Sequence, residues 1–199
     1  TKGNFYVVKN AGAVNIVKQE QTSPNDKTRA LQTGNFATAW IDHGRAPKQA
    51  EYEYAVYIQP SNKEITRFIK KDGYEVLRKD NTAHVVKDFA TGITGYICFG
   101  EYTGEGLVRK ATEETILMER TDADGQVVMS VCTPDLGLTE KTYTTRQESQ
   151  PIEKEVLLDG AWELAAQYPG VTAVSHDTGT LLKITCRHGQ PVEFRLKKK

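Results

Sequence analysis

A chain of 199 residues is long enough to bury a real core and can form either one domain or two small ones. Its 26 basic side chains balance 26 acidic ones, and 38% of its residues are hydrophobic, so net charge offers no footprint for nucleic acid. No apolar run approaches the roughly 20 residues that a membrane-spanning helix needs, and no membrane partner is expected.

The predicted elements are mostly strands. Asn4 to Asn10, "NFYVVKN", reads as a strand immediately after Thr1, a start expected of a piece of something longer. Gln19 to Gln32 is polar, contains Pro24 and lacks periodicity, so a loop is expected there. In "NFATAWIDHGRAPKQAEYEYAVYI", Asn35 to Ile58, Asp42 and His43 are adjacent. Neighbours in a strand point to opposite faces and could not orient each other as acid and base. A turn completed by Gly44 and Pro47 is expected instead, with Asp42 capping backbone donors and His43 either packing on an aromatic ring or reaching solvent. Tyr52, Tyr54, Val56 and Ile58 then alternate onto one strand face.

One segment departs from period two. In "SNKEITRFIKKDG" Ser61 and Glu64 have capping-box spacing, Ile65, Phe68 and Ile69 share a helical face, and Gly73 follows as a stop. A short amphipathic helix covering a sheet is expected, and the change of pattern around Pro60 to Gly73 marks a domain boundary. Later strands are read in "YEVLRK", "HVVKDF", "TGYICF", "TILMER", "QVVMSVC", "EKEVLL", "LLKITCR" and "VEFRL". Asp124-Gly125, Asp159-Gly160 and His188-Gly189 read as hairpin turns, because these residue types tolerate the positive φ such turns require.

Little of the chemistry is self-sufficient. "TDADGQ" holds the Asp-x-Asp-Gly fragment of a calcium loop but lacks the later oxygen ligands, and a hairpin turn is the better reading. His84, His176 and His188 stand alone, and Cys98, Cys132 and Cys186 sit in apolar contexts that suit buried free thiols. No metal site, catalytic residue or cofactor is expected in this chain. The candidate binding surface is Trp40, His43 and Arg45, with Lys48, Tyr52, Tyr54 and Tyr57 nearby; aromatic faces stack on sugars and guanidinium forks hold carboxylate or sulfate, so an acidic polysaccharide is the matching ligand. The same side chains serve equally well as strand core and rim.

Trp40-x-Asp42-His43-Gly44-x-x-Pro47 followed by Tyr52-x-Tyr54 resembles a signature of polysaccharide lyase family 8, whose members cleave chondroitin, dermatan and hyaluronan. "VLRKD" (Val76 to Asp80), "ITGY" (Ile93 to Tyr96) and "VCTPDL" (Val131 to Leu136) are similar to segments that occur in the same order in the broad-specificity chondroitin sulfate ABC lyases of that family. The resemblance covers essentially the whole chain.

It implies an all-β fold, with residues 1–60 as the closing strands of a central antiparallel β super-sandwich and residues 61–199 as a C-terminal β-sandwich domain with one short helix. It also implies a β-elimination at uronic acids whose catalytic His, Tyr, Arg and Glu lie outside this chain, leaving His43 without a catalytic role and the fragment inactive alone. Chondroitin or dermatan sulfate and the remaining N-terminal part of the lyase are the implied partners, and a secreted or periplasmic location is implied; the sequence is silent on a divalent cation for the parent enzyme. The alternative is a non-catalytic carbohydrate-binding module. An isolated end of a super-sandwich would expose sheet edges and apolar faces and be poorly stable.

Overall fold

A computed structural model describes residues 3–9, 12–138 and 149–199, so Thr1 and Asn10 lie outside the described residues. The chain forms two compact units, residues 1–71 and 72–199. All strand pairs are antiparallel and one helix occurs among the described residues, which makes the fold all-β.

The first unit contains β1 (Phe5–Lys9), β2 (Ala13–Pro24), β3 (Leu31–Asp42), β4 (Glu53–Tyr57) and α1 (Asn62–Lys70). β1 pairs with β4, and β2 pairs with β3 over their full length from Ala13↔Asp42 to Pro24↔Leu31. The expected loop over Gln19 to Gln32 is thereby corrected, since strand structure continues to Pro24 and resumes at Leu31. In a two-stranded ribbon open to water on both faces, polar residues can occupy successive strand positions, so period two fades without the strand ending. Cross-strand hydroxyls sustain the ribbon, with Thr22 and Thr33 Oγ1 atoms 3.0 Å apart. Pro24 is tolerated because it closes an edge strand.

The helix is built as its sequence predicts. Glu64 accepts from the Ser61 backbone N–H at 2.8 Å while the Ser61 hydroxyl accepts from Glu64 N–H at 3.3 Å, a reciprocal cap of two orphan donors. Phe68 stacks on Tyr57 of β4, their ring centroids 3.8 Å apart, whereas Ile69 stays exposed. No described residue of the first unit is fully buried.

The second unit is a sandwich of β5 (Tyr74–Lys79), β6 (Ala83–Asp88), β7 (Thr94–Cys98), β8 (Tyr102–Thr103), β9 (Val108–Ala111), β10 (Thr115–Thr121), β11 (Val127–Cys132), β12 (Ile152–Asp159), β13 (Trp162–Leu164), β14 (Val171–His176), β15 (Gly179–Cys186) and β16 (Val192–Lys198). A seven-stranded sheet runs β13-β16-β11-β10-β7-β6-β5 and a five-stranded sheet runs β14-β15-β12-β9-β8. Alternate residues point inward, so Leu117, Met129, Val131 and Phe194 of one sheet share a core with Val108, Val156, Leu182 and Ile184 of the other.

Two predicted hairpin turns are corners instead. Asp159-Gly160 joins β12 of the five-stranded sheet to β13 of the seven-stranded one, and His188-Gly189 carries β15 across to β16. Gly160, His188 and Gly189 do have positive φ, so the backbone demand was read correctly while the sheet assignment was not. Asp124-Gly125 does join the paired strands β10 and β11.

Arg78 closes one end of the sandwich. Its guanidinium donates to Asp80 at 2.6 Å, to Thr82 at 2.6 Å and to the Thr103 carbonyl of β8 at 2.7 Å, and lies 5.3 Å from the Tyr102 ring centroid. Hydrogen bonds from the Thr82 hydroxyl, then from the Ala83 backbone and Arg78, hold the Asp80 carboxyl well below the usual carboxylate range. Lys154, buried on the inward face of β12, aims its ammonium at Glu113 Oε2, 3.1 Å away.

Leu182 is fully buried between the sheets. Leu182→Ala is expected to lower the stability of the second unit by about 2–5 kcal/mol in urea unfolding. Ile16→Ala, at an exposed position of the ribbon, is expected to change little. A Leu182→Ala loss no larger than that of Ile16→Ala would contradict the packing described above.

Candidate functional site

The predicted binding residues lie at one end of β3 and in the segment that leads to β4. Trp40 faces across the ribbon to Asn15 and is 45% exposed. β3 ends at Asp42, whose Oδ1 accepts the Gly44 N–H at 2.8 Å, an Asx turn that fulfils the expected capping role. His43 is half-buried, its ring centroid 6.2 Å from that of Tyr52. Asp42 is thus engaged with the turn, and His43 lies against an aromatic.

Gly44, Ala46 and Gln49 all take positive φ. Two of the three are not glycine, so this loop holds a backbone conformation that L side chains disfavour. It presents Arg45 and Lys48 to solvent. Tyr52, just before β4, and Tyr54, two residues on within it, place their rings 6.2 Å apart and within 17° of parallel, and they are 57% and 52% exposed. The structure therefore gathers His43, Tyr52 and Tyr54 into a line of rings. Tyr57 points to the other face and belongs to the α1 contact, so it leaves the candidate surface.

The second unit contains a polar cluster that sequence reading passed over. The register sets Lys87, Thr94 and Glu119 side by side across β6, β7 and β10, on the inward face. Thr94 and Tyr96 side chains hydrogen-bond the Glu119 carboxylate, yet burial outweighs them and raises its pKa above the ordinary glutamate range; the Lys87 charge opposes the rise. Tyr96 is raised in turn, first by burial and then by the Glu119 charge. A signal was present in "TILMERT", where alternation from Thr115 through Leu117 places Glu119 on the core side. Burial also raises the Cys98 thiol, to about 11, which suits an inert core cysteine.

No family model matches the chain. It is 32% identical over 202 residues to the chondroitin sulfate ABC endolyase of Proteus vulgaris, an alignment covering 98% of this chain and 19% of that protein. It is 30% identical over 188 residues to the chondroitin sulfate ABC exolyase of Bacteroides thetaiotaomicron, covering 83% of this chain and 18% of the exolyase. The chain belongs to polysaccharide lyase family 8. It spans about a fifth of the length of these curated relatives. The family 8 chain also shares its fold with the chondroitin AC lyase of Streptomyces coelicolor A3, at TM-score 0.73 and 18% identity over 98% of this chain and 25% of that one. Paenibacillus xanthan lyase gives TM-score 0.71 at 18% identity, over 98% of this chain and 19% of that one.

Because the folded state raises the Glu119 pKa, stability falls as pH rises from the ordinary glutamate range through the raised value, and the penalty persists above it. Glu119→Gln is expected to flatten this slope and to gain stability relative to the parent as pH rises from 4 toward 7. Urea midpoints that change in parallel for both proteins across that interval would contradict the assignment.

Proposed function

We propose that these residues are the C-terminal β scaffold of a glycosaminoglycan lyase that acts on chondroitin and dermatan sulfate by β-elimination at uronic acids, and that they are inactive alone. The observation that carries this reading is the match to an ABC endolyase over 98% of this chain and only 19% of that protein. In such a reaction the uronate carboxylate is neutralised, a base removes the C5 proton and the glycosidic oxygen leaves from C4, protonated by a Tyr hydroxyl. The base, acid and carboxylate-binding groups belong to the remaining N-terminal part of the enzyme. The scaffold's task is to hold one wall of the cleft, since small displacements of positioned groups cost large factors in rate.

Within this proposal residues 1–60 close the central super-sandwich and residues 61–199 form the terminal domain, with α1 leading into it although its Phe68 stacks on Tyr57 within the first compact unit. The portion needs no cofactor of its own, and the parent works outside the cytoplasm, secreted or periplasmic. The commitment of Asp42 to the Gly44 N–H supports a structural turn over a catalytic pair.

A second reading is favoured by one observation, the exposed, near-parallel Tyr52 and Tyr54 rings beside His43. Here Trp40, His43 and Arg45 would bind an acidic polysaccharide without turnover. Incubating the chain with chondroitin sulfate and dermatan sulfate while following the ultraviolet absorbance of unsaturated uronate is expected to give a flat trace. A rise that tracks this chain would move catalysis back to His43 and the tyrosines. Calorimetric titration with the same polymers separates the two readings: no binding is expected of the scaffold, whereas binding that Arg45→Ala and Trp40→Ala each weaken would make the chain a carbohydrate-binding module.

A further inference from the structure

The outer faces of the second unit differ in chemistry. On the five-stranded sheet, Lys183 pairs with Glu155 at 3.1 Å and Arg109 with Asp159 at 3.0 Å. On the seven-stranded sheet, β13 and β16 are charged in the same way, through Lys197 with Glu163 at 3.1 Å and Arg195 with Asp122 at 2.6 Å. Across β6, β7, β10 and β11 the charge recedes to the ends of the strands, to Asp88 of β6 and the exposed Arg120 of β10. The register sets Val86, Gly95, Met118 and Ser130 in one outward row and His84, Ile97, Ile116 and Cys132 in the next. Met118 is 51% and Ile97 45% exposed, and Phe99 stands beside them with its ring edge-on to His84 at 5.1 Å.

This patch is not unfinished core, because the inward residues of the same strands, Val85, Tyr96, Leu117 and Val131, are already buried. A sheet solvated on one face alternates apolar-in with polar-out, whereas in these two rows Val86, Met118, Ile97 and Ile116 put apolar side chains outward as well. A contiguous apolar area bordered by charge marks a packing surface. We infer that the outer face of β6, β7, β10 and β11 packs against a part of the longer lyase chain outside these 199 residues. The inference rests on the lyase reading above. The occupant follows from length, since the matched relatives extend far beyond this portion, and from tethering, since a segment of the same chain is present at about millimolar effective concentration and outcompetes a second molecule.

Cys132 is a built-in reporter, partly exposed on this face while Cys98 and Cys186 are buried. A maleimide is reacted with the native 199-residue chain and with the complete gene product that contains it, and labelling of Cys132 is followed by peptide mass spectrometry. The expected result is labelling at least about tenfold slower in the complete protein, with Met118→Lys restoring it there. The same substitution leaves the melt of the short chain unchanged, because Met118 is outside the core. Equal labelling in both proteins would overturn the inference. Slow labelling in the short chain would overturn it too, in favour of a second copy if the chain sediments as a dimer, or of residues 1–71 if it is a monomer. Uronate absorbance measured on the complete protein is a separate readout: protection of Cys132 without lyase activity would sink the lyase reading and leave the packing surface standing.

Discussion

Face-to-face burial of two antiparallel sheets is the constraint on which the second unit depends. Leu117, Val131 and Phe194 from one layer and Val156, Leu182 and Ile184 from the other are all buried against each other, so each strand must keep its register or turn its apolar set outward. Even the polar groups on the inward faces obey this demand: Lys154 reaches out to Glu113, and Glu119 keeps hydroxyl partners that oppose, without cancelling, the rise in pKa that burial imposes.

The segments that carry the family resemblance in this unit serve the sandwich. "VLRKD" supplies Arg78 and Asp80, the clasp that reaches from β5 to the carbonyl of Thr103 on the opposite sheet. "ITGY" supplies Tyr96, buried against Tyr102 with ring centroids 5.8 Å apart. "VCTPDL" begins with Val131 in the core and turns the chain through Thr133 and Asp135, whose side chains accept the Asp135 and Gly137 backbone N–H groups. These are groups that fix geometry.

The first unit behaves differently. Its ribbon and its β1–β4 pair bury no residue completely, and Tyr6, Tyr54 and Val56 share an open face of the small sheet. Backbone pairing and the Tyr57–Phe68 stack organise it locally, yet it lacks the two-layer enclosure that makes the second unit a domain.

Much was legible where local physics decides. Period-two alternation found most strands, Ser61 and Glu64 announced the helix start, and Asp42 before Gly44 announced the turn, because each depends on residues within a few positions. The ribbon over Gln19 to Gln32 was not legible, since a strand wet on both faces carries no alternation. Asp159-Gly160 and His188-Gly189 state that the backbone must bend with positive φ, but a bend within a sheet and a bend between sheets make the same local demand. Which strand lies beside which was settled only by closing the core, where Val156, Leu182 and Phe194 have to meet; likewise only the register brought Lys87, Thr94 and Glu119 together. The sequence by itself determined most of the elements and the family, and the tertiary structure decided the ribbon and the partners, because side-chain period is a property of one strand and burial is a property of two.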